Sequence, residues 1–290
     1  MSRSITQPIR VLLQTSIRHA ADDWHIGRFS ALDDMLGEVG SVVARDRQPD
    51  QNGDDPVLSR LSRSDFDEVW LLGVDGGEGP SPRDCAAINA FHEQGGGLLT
   101  VRDHQDMGLW FRHIRGVGAA HFFHARQYCE SDPSRLCPDD TETPTISWPN
   151  YHSGRNGDFR RIAATGSHPL LELADAPGGR VELFPAHPHE GAVGVPRGEA
   201  RAHTVARGSS LVTGREFDLV VAFERTAAAP GRAIAESSFH HFADYNLDPS
   251  RGAPSFVTEP PGDGILGEPR VMADLRAYVH NAVRWLAPAN

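Results

Sequence analysis

The segment from Phe66 to Val101 constrains the fold more than any other part of the chain. Val69-Trp70-Leu71-Leu72-Gly73-Val74 is a short continuous apolar run, as a parallel strand buried on both faces requires. Ser81 then offers an N-cap, Pro82 suits the first helical position, and Asp84 places a negative charge in the first turn, where the helix dipole favours it. Ala87, Ile88 and Phe91 give the helix that follows an apolar face. Gly95-Gly96-Gly97 ends that helix, and Leu98-Leu99-Thr100-Val101 begins a second buried strand. A right-handed strand, helix, strand crossover makes the two strands parallel.

Similar strands are expected at Ile9 to Thr15, Val39 to Ala44, Leu219 to Phe223 and Ala233 to Ala235. Near the C-terminus, Val271, Leu275, Tyr278, Val279, Ala282 and Leu286 recur at helical spacing before Pro288, which predicts a final helix packed on the sheet. The sum is an α/β fold: a doubly wound, mainly parallel open sheet flanked by helices. At 290 residues such a sheet with long loops is expected to form one domain. Arg126 to Asp158 carries Pro, Asp, Ser, Gly and Asn without clear periodicity and reads as a long surface insertion.

Charge and chemistry exclude several classes. The net charge is −11, and all 28 cationic residues are arginine. The absence of lysine removes Schiff-base chemistry, a pyridoxal phosphate anchor and the lysine of a phosphate-binding P-loop. An acidic chain without a basic cluster is a poor match for nucleic acid or anionic membrane. Cys85, Cys129 and Cys137 are odd in number and lack metal-ligand spacing, so a reducing, cytoplasmic setting is expected. No stretch has the roughly 20 apolar residues of a spanning helix, and Met1 to Arg10 lacks a signal-peptide core. Gly-x-Ser-x-Gly, Gly-x-Gly-x-x-Gly after a strand and His-Glu-x-x-His are all missing.

The order of elements, with Gly95-Gly96-Gly97 before Leu98-Leu99-Thr100-Val101-Arg102-Asp103-His104, resembles the class I glutamine amidotransferase-like superfamily, a flavodoxin-like fold. Within it the chain is most similar to the ThuA-like, trehalose-utilisation branch. Gly231-Arg232-Ala233-Ile234-Ala235-Glu236-Ser237-Ser238-Phe239-His240-His241 resembles that branch's final strand and histidine-bearing loop. The resemblance implies a pocket at the C-terminal ends of the strands and a sugar-like ligand. Amidotransferases that hydrolyse glutamine carry a cysteine at the turn after the strand that here is Leu98 to Val101. This turn reads Arg102-Asp103-His104-Gln105-Asp106, so glutaminase activity is not expected.

Many of the 15 histidines follow predicted strands. Asp103 and His104 stand where a nucleophile elbow would, and with Glu236 and His240 they are the candidate catalytic groups, a carboxylate and imidazole set suited to acid/base chemistry around one cleft. Trp24, His25, Asp106, His187, His241 and Asp244 are the candidate substrate-binding residues, and Trp24 and Trp148 offer rings for a sugar face. No cofactor is expected. The alternative is a divalent metal on His187, His189 and Glu190, because alternate residues of an extended segment point the same way and neutral imidazole is a common ligand. His121 and His124 would share a helical face. The leading expectation is an enzyme acting on a small polar, carbohydrate-derived molecule. The alternatives are a non-catalytic binding module and a metal-dependent hydrolase, and self-association is left open.

Overall fold

The computed structural model describes residues 8–77, 79–123, 139, 143, 146, 149–173 and 179–289. In chain order its regular elements are β1 (Ile9–Thr15), α1 (Ser30–Gly37), β2 (Gly40–Arg45), β3 (Glu68–Leu72), α2 (Pro82–Glu93), β4 (Gly97–Val101), β5 (Phe159–Arg161) and β6 (Ala163–Ala164). They continue as β7 (Leu183–Pro185), β8 (Ala202–Ser209), β9 (Glu216–Phe223), β10 (Ala233–Glu236), α3 (Asp244–Leu247), α4 (Gly264–Gly267) and α5 (Pro269–Leu286).

The apolar runs become the middle of the sheet because only there are both faces covered. Every residue of β3 and β4 is buried, and the two strands pair in parallel with Trp70 opposite Leu99. The main sheet runs β2-β1-β3-β4-β10-β9-β8-β6. Its first five strands are mutually parallel, whereas β9, β8 and β6 extend it by antiparallel pairing. A separate antiparallel pair joins β5 to β7. This is a doubly wound, mainly parallel α/β sheet of the flavodoxin-like kind.

Helices cover both faces. On one side α5 buries Val271, Leu275, Tyr278, Val279, Ala282 and Leu286 in the same core as Leu32 and Leu36 of α1. On the other, Cys85, Ile88 and Phe91 of α2 pack with Val69, Leu71 and Leu98 of the sheet. The start of α2 follows its sequence signals: Ser81 Oγ accepts from Asp84 N at 3.1 Å, and Asp84 Oδ2 accepts from Ser81 N at 3.0 Å, with Pro82 in the first turn. Such a reciprocal cap satisfies two otherwise orphaned amides. No described helix is long and apolar enough to cross a membrane.

Two sequence expectations change. His121 is not helical: it forms an isolated bridge with Val193, and its Nε2 lies 2.9 Å from Thr100 Oγ1. The end of the expected surface insertion is largely internal. Asn150, Tyr151, Ser153 and Asn156 are buried, because the chain there pairs with the 187–190 segment through Tyr151 and Glu190. His124, Cys129, Cys137 and Trp148 lie outside the described residues.

Candidate functional site

The site begins with the arginine that follows β4. Arg102 is fully buried, and its guanidinium donates to the carbonyls of Met107 at 2.6 Å and His104 at 3.0 Å, and to those of Gln105 and Phe122. It also lies 4.3 Å above the Phe123 ring. These contacts clamp the turn after β4 so tightly that Gln105 takes φ 47°, the only positive φ of a non-glycine among the described residues. Backbone in that region is uncommon and is held only by such surroundings.

The clamped turn presents Asp103, which is fully buried beside three imidazoles. His104 Nδ1 donates to Asp103 Oδ2 at 2.6 Å, His187 Nε2 lies 3.3 Å from the same oxygen, and His240 Nε2 lies 3.9 Å away. Asp103 Oδ1 accepts from Gly191 N at 3.3 Å. Gly191 is required at that contact, since a Cβ there would come within 2.4 Å of the Ser237 carbonyl oxygen and 2.7 Å of that of Asp103. His187 and His240 follow different strands, β7 and β10, and their rings stack at 3.5 Å with 12° between planes. His189 stands edge-on to both His187 (4.2 Å) and His104 (4.8 Å).

Charge in this cluster is set by burial. Burial, with His240 and His189 alongside, pushes His187 well below the usual imidazole range. Burial likewise brings His240 down to about 4 and lowers His104, though Asp103 opposes each. Burial works against ionising Asp103, but the facing His187 and the hydrogen bond from His104 hold its carboxyl well below its usual range. Burial thus favours the neutral imidazole in His104, His187 and His240 while Asp103 keeps its charge.

Above it lies a cavity of about 440 Å³, lined among others by Trp24, Asp75, His104, His187, His189 and His240. Trp24 meets His240 edge-on at 4.9 Å and Phe239 at 5.5 Å. A larger cavity, about 760 Å³, opens at the opposite edge of the sheet beside His92, Arg201 and Glu224. It lies away from the loops after the parallel strands, where open α/β sheets gather their ligand groups.

The four residues expected around one cleft divide. Asp103, His104 and His240 meet at the cavity, but Glu236 does not line it. Glu236 ends β10 and pairs with His241 Nδ1 at 3.3 Å. His241 Nε2 in turn lies 2.9 Å from Glu190 Oε1, and Glu190 accepts from Arg160 at 2.5 Å, Ser153 at 2.7 Å and Ser237 at 2.9 Å. Against the burial that would lower it, Glu190 and Glu236 raise His241 to about 9. Glu190 therefore faces this second network and not His187 and His189, contrary to the alternative ligand set read from sequence. The extended segment expected there is instead a turn at Pro188 and His189, after which Glu190 bridges to Tyr151, and this carries Glu190 away from His189.

Of the expected substrate residues, Trp24 and His187 line the cavity, whereas His25, Asp106, His241 and Asp244 do not. His25 caps a short turn by accepting from Gly27 N at 3.2 Å, and Asp106 lies in the clamped turn. Asp244 accepts from Ser30 Oγ at 2.6 Å and Ala31 N at 2.9 Å, at the start of α1. Sequence reading missed Asn156, Asn246 and Asp75. Only Asp75 left a signal: it closely follows β3, as Asp103 follows β4.

No family model matches the sequence, and no curated protein matches it. The chain is similar to the solved structure of a ThuA-like protein from Bacteroides uniformis ATCC 8492, at 13% identity over 99% of this chain and 94% of that one, with TM-score 0.48. It is also similar to a ThuA-like protein from Parabacteroides merdae ATCC 43184, at 14% identity over 89% and 96%, TM-score 0.41. A third similar structure is described as the mmIFT52 N-terminal domain, at 10% identity over 82% and 90%, TM-score 0.47.

Proposed function

We propose that the protein is a cytoplasmic enzyme that binds a small polar, carbohydrate-derived molecule above Asp103 and moves protons to and from it through His104 and His240. One observation carries this reading. Asp103 holds the Nδ1 proton of His104, and the Asn246 side-chain oxygen, 3.0 Å from His240 Nδ1, holds that of His240. Each ring keeps Nε2 for proton transfer, and both rings line the cavity. Trp24 supplies an apolar wall for a sugar face. The carbohydrate class follows from the sequence resemblance to the trehalose-utilisation branch.

Glutamine hydrolysis does not belong to this reading. The turn after β4 has no thiol, and Cys85 is buried in α2, where burial pushes its thiol up to about 12. The test is a panel of mono- and disaccharides, trehalose included, followed by thermal shift and by product chromatography. At least one member should bind and be consumed, and His104→Ala and His240→Ala should each lower turnover roughly a hundredfold or more with the melting temperature nearly kept. Binding without turnover, insensitive to both substitutions, would make the protein a binding module instead.

A further inference from the structure

A chain of hydrogen bonds fixes where the protons of the buried imidazoles lie. The Ala186 carbonyl can only accept, so the Asn246 group 3.1 Å from it is the NH2 end. The same NH2 lies 2.8 Å from Asn156, which makes that atom of Asn156 the carbonyl oxygen. His187 Nδ1, 2.8 Å from that oxygen, must therefore donate to it. A neutral His187 is left with a lone pair on Nε2.

That lone pair faces Asp103 Oδ2 across 3.3 Å. His187 Nε2, in a residue 1% exposed, has no hydrogen-bond partner. A buried ring nitrogen without a partner, held this close to a carboxylate oxygen, is an arrangement that a cation can bridge. Their separation also matches the edge of a tetrahedron whose metal bonds are roughly 2.0–2.1 Å, which is about 3.3 Å. His189 offers a third donor: one ligand atom from each of Asp103, His104, His187 and His189 lies within 4.8 Å of the others. His240 is not a ligand, because its ring stacks on His187 at 12°, and lone pairs lying in two nearly parallel planes do not meet at one ion.

We propose that Asp103 Oδ2, His187 Nε2 and His189 hold a divalent transition-metal ion of the zinc type, with His104 beside it and one position open to the cavity. Two imidazoles and one carboxylate suit zinc or iron(II) better than magnesium or calcium. Asn156 and Asn246 are the outer partners that fix the His187 ligand's orientation. The inference goes beyond the catalytic reading and does not depend on it, since the ion would be held whether or not a substrate is turned over.

The experiment reads the metal itself. Protein without a polyhistidine tag is stripped by chelator, titrated with zinc chloride against a chromophoric chelator, and analysed for elements. The expected result is about one tightly held ion per chain. Asp103→Asn and His187→Gln should each weaken it at least a hundredfold, and Asn156→Ala about tenfold to a hundredfold. His19→Ala and His203→Ala, in the two other histidine and carboxylate clusters among the described residues, should leave it unchanged. Circular dichroism confirms that each variant is folded, and cobalt(II) in place of zinc should give the intense visible absorption of a tetrahedral site. No tight ion in folded wild-type protein would overturn the proposal. So would loss in His19→Ala or His203→Ala with retention in Asp103→Asn and His187→Gln.

Discussion

His240 and His241 are neighbours in sequence, yet they belong to two different buried networks. His241 joins Arg160 to Glu190 and Glu236, a set in which two cations meet two carboxylates, none of them lining the cavity. His240 joins the set around Asp103, in which neutral imidazoles outnumber the charge and several rings face the cavity. The first network resembles a structural strut: its charges cancel among themselves. The second leaves a titratable ring nitrogen, His187 Nε2, buried without a hydrogen-bond partner beside a cavity, a cost that a fold bears where something else is meant to bind.

The contrast breaks most visibly at Glu190. Glu190→Ala leaves Arg160 and His241 as buried cations with one carboxylate between them, and should destabilise the protein by about 3–5 kcal/mol, read as a lowered midpoint in denaturant. A loss well under 1 kcal/mol would mean that the strut contributes nothing. The pH dependence of stability sharpens the same point. The folded pKa of His241, about 9, lies above the ordinary imidazole value, so its contribution is fully present below about pH 6.5 and is lost as pH rises through 9. The thermal midpoint should fall across that interval, and His241→Gln should flatten the fall. An equally steep decline in His241→Gln would place the titrating group elsewhere. The smallest effect belongs to Asp244, whose carboxylate caps α1: Asp244→Ala should cost about 1 kcal/mol and leave turnover unchanged. Lost turnover at normal stability would return Asp244 to the site.

The sequence made the central sheet legible because its signals were local. The apolar runs of β3 and β4, the Ser81 and Asp84 cap and the spacing of α5 each depend on residues a few positions apart. The antiparallel side was not legible in full. Ala202–Ser209 shows no clean alternation, because β8 is only half covered and its register shifts at Thr204 to Arg207, and the two-residue β6 carries no pattern at all. In the site, Asp103, His104, His187 and His240 announced themselves as titratable residues after strands. Which side each faces was hidden, since turns and a short 3-10 helix, and not extended chain, orient Glu190, His240 and His241. That ambiguity put Glu236, Glu190 and His241 with the wrong partners. Asn156 and Asn246 were invisible for another reason: amides carry no charge, and their importance lies in a hydrogen-bond chain joining residues 90 positions apart.

The central claim is that the cavity above Asp103, and not the larger one at the opposite edge of the sheet, receives the ligand. Crystals soaked with a saccharide that the thermal-shift panel identifies test it most directly. The predicted result is density bounded by Trp24, His104 and His240. Density confined to the cavity beside His92, Arg201 and Glu224 would contradict the account.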